Sequence, residues 1–197
     1  FDLIYQLLSI VSGLVPVALV FYLVWSRTRP RLGAIGLDAR RPARDSAWGF
    51  GLAALIGIPG LGLYIAGVQS GITVQIVPTA LADYWWTIPV LLLAALKAGV
   101  LEEVIAVGYL SLRLQQLGLS PAMIVALQSI LRGFYHLYQG IGPFFGNIAM
   151  GVVFALWFMR TKRLAPLIIA HALIDAVAFV GYPLVAASLP GILGFAQ

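Results

Sequence analysis

Residues 84–112 read "YWWTIPVLLLAALKAGVLEEVIAVGYLSL", and how this run is read decides the fold. It is long and apolar enough for a membrane helix, which needs about 20 residues to cross roughly 30 Å of hydrocarbon. Yet it carries Lys97 and the adjacent pair Glu102 and Glu103. A charge at bilayer depth costs about 2.5–3.5 kcal/mol on insertion scales. The rest of the chain says that the run does belong in a membrane. Of 197 residues, 61% are hydrophobic and 10% charged, and the mean hydropathy is +0.99, whereas soluble domains are about 25% charged.

Working outward, further apolar segments lie at 3–25, 47–67, 121–139, 143–159 and 164–183. The weaker tail 184–197, interrupted by Pro190 and Gly191, leaves a seventh span open. Backbone groups in lipid must be satisfied within each segment, and these runs are too long for barrel strands. The expected fold is therefore all-α: a polytopic transmembrane helix bundle of six clear spans, one domain over residues 1–197. The basic residues cluster in loops 26–46, 113–120 and 160–163, while 68–83 and 139–143 hold no Lys or Arg. By the positive-inside pattern, the chain is a multi-pass cell-membrane protein with its N-terminus outside. Trp85 and Trp86 then open the third segment at the outer interface. Ser120 and Pro121 mark a helix start, and Gly142 and Gly146 stand at a GxxxG packing spacing. The net charge of +5 is explained by this loop pattern rather than by a nucleic-acid partner. Cysteine is absent, which removes disulfides, thiolate metal sites and cysteine nucleophiles. The chain begins at Phe1 rather than Met, so the presence of a cleavable signal peptide is not judged from its start.

Ionisable groups inside a bundle tend to face its interior and mark function. Gln128, Arg132 and His136 are spaced i, i+4, i+8, one polar stripe on the fourth segment, and His171 and Asp175 are a second i, i+4 pair. With Glu102 and Glu103, three segments point to one shared site. Each group also has a plainer reading: His171/Asp175 as a buried hydrogen-bonded pair, Gln128 and Arg132 as a clamp on a glutamate, and Lys97 as a snorkelling cation. Together they suit hydrolysis. A carboxylate and an imidazole can activate water, and a second imidazole can hold a developing oxyanion. Neither GxSxG nor HExxH is present, so no metal or other cofactor is expected. The rival is a zinc site using Glu102 or Glu103, His136 and His171. A transporter or proton relay is the other use of buried Glu and His.

These residues resemble the CAAX protease and bacteriocin-processing family, the CPBP or Abi intramembrane proteases. That family's pattern is EExxxR, then FxxxH, then HxxxN or HxxxD on three helices. Here the corresponding stretches are "EEVIAV" at 102–107, "RGFYH" at 132–136 and "HALID" at 171–175, within a motif-bearing core of about 84–183. The "GN" of Gly146 and Asn147 adds to the likeness. The resemblance implies an intramembrane endopeptidase of the bacterial plasma membrane acting on a peptide or membrane-protein substrate. In it Glu102 and His136 activate water, His171 and Asp175 form the oxyanion side, and Glu103, Arg132, Gln128 and Asn147 support them. A catalytically idle relative, serving as an immunity, scaffold or assembly subunit with a membrane-complex partner, is the alternative. Two positions depart from the pattern: Val107 replaces the motif arginine and Arg132 the motif phenylalanine. A guanidinium resupplied by Arg132 from the neighbouring helix joins the two departures. Counting about 1.5 Å per residue from the cytoplasmic ends puts Glu102 roughly 16 Å deep and His136 roughly 22 Å. A tilt or break in the third segment is therefore expected, with Gly99 as its place.

Overall fold

A computed structural model describes residues 2–28, 35–71 and 84–184. The 184–197 tail read as an open seventh span lies outside the described residues except for Leu184. All regular elements among the described residues are helical, as a medium without water to satisfy strand edges requires. The first segment forms α1 (Asp2–Gly13) and α2 (Val15–Thr28), parted at Leu14. Pro16 accounts for the break, having no N–H to give to the carbonyl of Ser12 one turn back. The second segment is α3 (Pro42–Gln69). The third divides into α4 (Thr87–Glu102), a π-helix (Glu103–Tyr109) and α5 (Leu110–Gln116). The remaining helices are α6 (Pro121–Tyr135), α7 (Ile141–Thr161) and α8 (Ala165–Ala176), and a second π-helical stretch (Val177–Gly181) extends α8. Ser120 caps α6 as its sequence predicts: its Oγ accepts from the Met123 N–H at 3.3 Å. Pro121 follows at a position where a missing N–H costs nothing.

Four stretches among the described residues are long and apolar enough to cross a membrane: Asp2–Val24, Pro42–Gly67, Ile141–Thr161 and Ala165–Leu184. The two other expected spans are not single long α-helices. The 15 residues of α6 rise only about 22 Å, and the third segment is divided by its π-helix. The pattern of burial is the reverse of a soluble protein's. Ile4, Leu8, Leu55, Ile58 and Leu92 face outward, while Glu103, Gln128, Arg132 and His171 are buried. Such an exterior is stable only against lipid.

The helices that carry the polar groups meet through their backbones. A Cβ on Gly133 would lie 2.5 Å from Ile148 Cγ1, and one on Gly151 would lie 2.8 Å from Ser129 Cα, so α6 and α7 can approach only with glycine there. Gly99 serves α4 and α8 in the same way, with Ile168 O 3.0 Å and Ala172 N 3.1 Å from its missing Cβ. Gly99 is thus a packing glycine inside regular α4, and the expected break falls instead at the π-helix beginning with Glu103. The GxxxG spacing does not mark the closest approach of α6 and α7: a Cβ on Gly146 would meet only the Leu63 side chain of α3, at 3.7 Å. The bundle's apolar core forms around Val104, Val107, Phe154, Leu164, Leu167 and Ile168.

At one end, Asp38 before α3 and Asp45 in its first turn clamp the turn joining α7 to α8. Arg163 Nη1 donates to Asp38 Oδ1 at 2.9 Å. Its Nε donates to Asp45 Oδ1 at 3.2 Å, and Nη2 bonds Asp45 Oδ2. Arg163, grouped from the sequence with the basic loop residues, is therefore neutralised by two carboxylates. The Arg163 guanidinium, helped by the Arg40 N–H, holds Asp38 below the usual carboxylate range. Hydrogen bonds from Asp45 and Asp38 raise Arg163 in turn.

Candidate active site

The polar residues of the third, fourth and sixth segments meet around one guanidinium. Arg132 Nη2 lies 2.7 Å from Glu103 Oε1, 2.9 Å from His171 Nδ1 and 3.4 Å from Glu102 Oε2. Phe154 of α7 covers the other side, its ring centroid 5.3 Å from Arg132 Cζ, a distance at which the ring face attracts the cation. The π-helix makes this possible from the carboxylate side. It begins at Glu103 and ends with the Leu110 N–H donating to Ile105 O, five residues back. Such wide turns are rare and concentrate at functional sites.

The cluster has a floor and a rim. Glu103, Arg132 and His171 are at most 4% exposed and form the floor. Gln128 lies below them, donating to Ser111 Oγ at 2.7 Å and to Val107 O at 3.4 Å. The side chains of Glu102 and Asp175 are 23% and 20% exposed and that of His136 is 13% exposed, so these three form the rim. A reactant can touch the rim without unpacking the floor.

His136 caps the C-terminus of α6. Its Nδ1 donates to the carbonyl of Arg132 at 2.9 Å, since a carbonyl can only accept. That bond fixes the tautomer and leaves the Nε2 lone pair facing Glu102 Oε1 at 4.0 Å. Two acceptors at this separation are too far apart for a direct hydrogen bond. They suit one water that donates to both, because two bonds of about 2.8 Å meeting near a right angle span that distance. The opposite oxygen, Glu102 Oε2, is already engaged. It accepts from Tyr135 Oη at 2.8 Å as well as lying near Arg132.

His171 is held differently. Its Nδ1 is 2.7 Å from Glu103 Oε1, a contact that requires the proton on Nδ1, because two lone pairs would repel at that distance. Its Nε2 is 3.6 Å from Asp175 Oδ2, beyond an ordinary hydrogen bond, and so is not fully committed. Glu102, Glu103, Arg132, His136, His171 and Asp175 thus come together, with Gln128 packed beneath. Asn147 does not join them; its amide donates to Pro143 O one turn back on α7 at 2.9 Å. Lys97 packs its stem against α1 at Gly13. Tyr135 is a member that the motif spacing missed. Its signal was available: it lies three residues after Arg132 and seven after Gln128, on the same face of α6.

The guanidinium stands where a cation held by Glu103 and His171 would sit. Arg132 Nη2 approaches Glu103 Oε1 and His171 Nδ1 at 2.7–2.9 Å, so a guanidinium stands between two of the residues weighed from the sequence as zinc ligands.

The floor and rim define an acid–base site inside an all-α membrane bundle. Residues 84–177 match the family model described as type II CAAX prenyl endopeptidase Rce1-like, just under half of the chain. The matched stretch holds all three motif-bearing segments, and the match is consistent with the CAAX protease and bacteriocin-processing family. That likeness points to a membrane protease with a peptide or protein substrate. No curated protein and no solved structure matches the chain.

Proposed function

We propose that the protein is an intramembrane endopeptidase that hydrolyses a peptide bond of a membrane-associated or small peptide substrate with water activated by Glu102 and His136. The observation that carries this reading is the facing pair on the rim: Glu102 Oε1 and His136 Nε2, 4.0 Å apart, with the imidazole tautomer fixed from behind by Arg132 O. A water between them gives one proton to Glu102 as its oxygen attacks the scissile carbonyl. The tetrahedral oxyanion forms on the side of His171 Nε2. The C–N bond then breaks, Glu102 passes its proton to the departing amine, and the water oxygen stays in the new carboxyl group, whose remaining proton passes to His136 Nε2 and from there to solvent. Glu103 and Arg132 do not enter the reaction. Their ion pair holds His171 in place through Nδ1, and Arg132 supplies from α6 the guanidinium that the family motif would place at Val107. The chain sits in the cell membrane with its basic loops on the cytoplasmic side. No metal takes part.

The test compares the cleaved membrane and envelope peptides of cells carrying the native protein with those of cells carrying Glu102→Gln. Peptides missing from the variant at equal protein level are expected. Identical peptide profiles would make the chain a catalytically idle member, acting as a scaffold or immunity subunit.

A further inference from the structure

We infer that Tyr135 is a positioning residue that decides which oxygen of Glu102 acts as the base; the inference rests on the function proposed above. The carboxylate is held asymmetrically. Oε2 accepts from Tyr135 Oη at 2.8 Å and lies 3.4 Å from Arg132 Nη2, whereas Oε1 makes no direct hydrogen bond among the described residues and faces His136 Nε2 at 4.0 Å. An oxygen already accepting a strong hydrogen bond is the poorer proton acceptor, so the tyrosine leaves Oε1 as the basic atom and turns it toward the imidazole. Arg132 cannot do this alone. Its Nη2 is committed to Glu103 at a shorter distance, and its contact with Glu102 is at the outer limit of a hydrogen bond.

The tyrosine also ties Glu102 to its partner in catalysis. Tyr135 and His136 are consecutive, their rings 4.6 Å apart, so one short stretch at the end of α6 fixes both halves of the water site. The hydroxyl holds Oε2, the peptide carbonyl of Arg132 holds His136 Nδ1, and the two reactive atoms are left facing each other. Without the hydroxyl, the partly exposed rim carboxylate is free to rotate about its terminal bond and lose that alignment. Small misplacements of this kind cost catalysis out of proportion to binding.

The experiment measures product peptides in membrane and envelope fractions of cells carrying the native protein, Tyr135→Phe, Glu102→Gln and the double variant, at matched protein levels. Phenylalanine keeps the ring against His136 and removes only Oη. Tyr135→Phe should lower product formation by roughly 10- to 100-fold, the usual range for a misaligned catalytic group, and leave the thermal midpoint of the purified protein within about 2 °C. Because the tyrosine acts through Glu102, the double variant should be no worse than Glu102→Gln alone. Replacing Tyr135 by p-aminophenylalanine, which returns an N–H donor at the same place, should restore much of the loss. Native product levels in Tyr135→Phe while Glu102→Gln is inactive would overturn the role of Tyr135 and leave the protease reading standing. A double variant clearly worse than Glu102→Gln, or a large fall in the thermal midpoint, would make the tyrosine merely structural and overturn the inference. Full product levels in Glu102→Gln would overturn both readings together.

Discussion

Removing both charges from the floor of the site should cost well under the sum of removing each alone. Glu103 is fully buried and Arg132 is 2% exposed, so solvent does not screen their 2.7 Å contact. The pair is monodentate, because Glu103 Oε2 and Arg132 Nε are buried without a protein partner. Breaking such a pair from one side leaves an uncompensated charge in a low-dielectric interior, typically about 3–5 kcal/mol. His171 still holds Oε1 when the arginine is lost, so Arg132→Met should fall near the lower end, about 3 kcal/mol. For a domain of this length that is roughly a 6–12 °C fall in the thermal midpoint. Glu103→Gln should cost a similar amount by stranding the guanidinium, which keeps only its weaker contacts to Glu102 and the Phe154 ring. In the double variant neither charge is stranded, and its cost should be at least about 2 kcal/mol smaller than the sum of the singles. The assay is thermal unfolding of the four purified proteins in one detergent, followed by loss of monodisperse protein. Additive losses within about 0.5 kcal/mol would refute the reasoning, for they would mean that the two charges are separately solvated and that the floor is not a closed ion pair.

Three further outcomes are expected. Cleavage should persist in EDTA, because Arg132 occupies the centre of the donor set; activity lost to chelation and restored by zinc would reverse this. The Arg163 clamp should add a pH-dependent increment to stability. Asp38 is depressed in the folded state, so its contribution is fully present above the unfolded value near 4 and lost as pH falls through the lower folded value. The gap in thermal midpoint between native protein and Asp38→Asn should be constant from pH 5 to 8 and close at lower pH, and a gap unchanged at pH 3 would count against the pairing. Finally, Val107→Arg added to Arg132→Phe should recover part of the stability and cleavage lost by Arg132→Phe alone; a double variant no better than the single would show that α6 is not an interchangeable source of the guanidinium.

The sequence carried the membrane setting and the convergence of three polar stripes, because charges in long apolar runs have few places to go except toward one another. It did not carry the π-helix. Nothing in "EVIAVGY" marks a shift of backbone hydrogen bonds from four residues to five, and Gly99, the natural candidate for an irregularity, is spent on close packing with α8. The i, i+4 reading of Gln128, Arg132 and His136 brings all three to the cluster, the third from the end of the helix rather than its body. His136 sits where α6 ends, with φ −101° and ψ 0°, and the residue that continues the stripe toward the glutamates is Tyr135. An aromatic near the end of a membrane helix reads by default as an interface residue, which hid its contact with Glu102. Asn147 shows the opposite error: a polar residue beside a motif glycine invites a site role, while its amide is consumed by its own helix.

The two departures from the family pattern have a single physical explanation once distances replace spacing. Val107 is 2% exposed and belongs to the apolar core. Arg132 is equally buried and reaches Glu103 from across the helix interface. A buried carboxylate needs an opposite charge and hydrogen-bond donors at its oxygens, and the field at those oxygens does not depend on which backbone supplies them. A motif written along one helix records only one route to that field. In this protein the route runs through α6, and the same helix carries Gln128, Tyr135 and His136. Four of the groups that set the chemistry therefore move as one rigid unit relative to the two glutamates. A shift of α6 against the Glu103–Tyr109 π-helix would change the ion pair, the orientation of Glu102 and the position of His136 together.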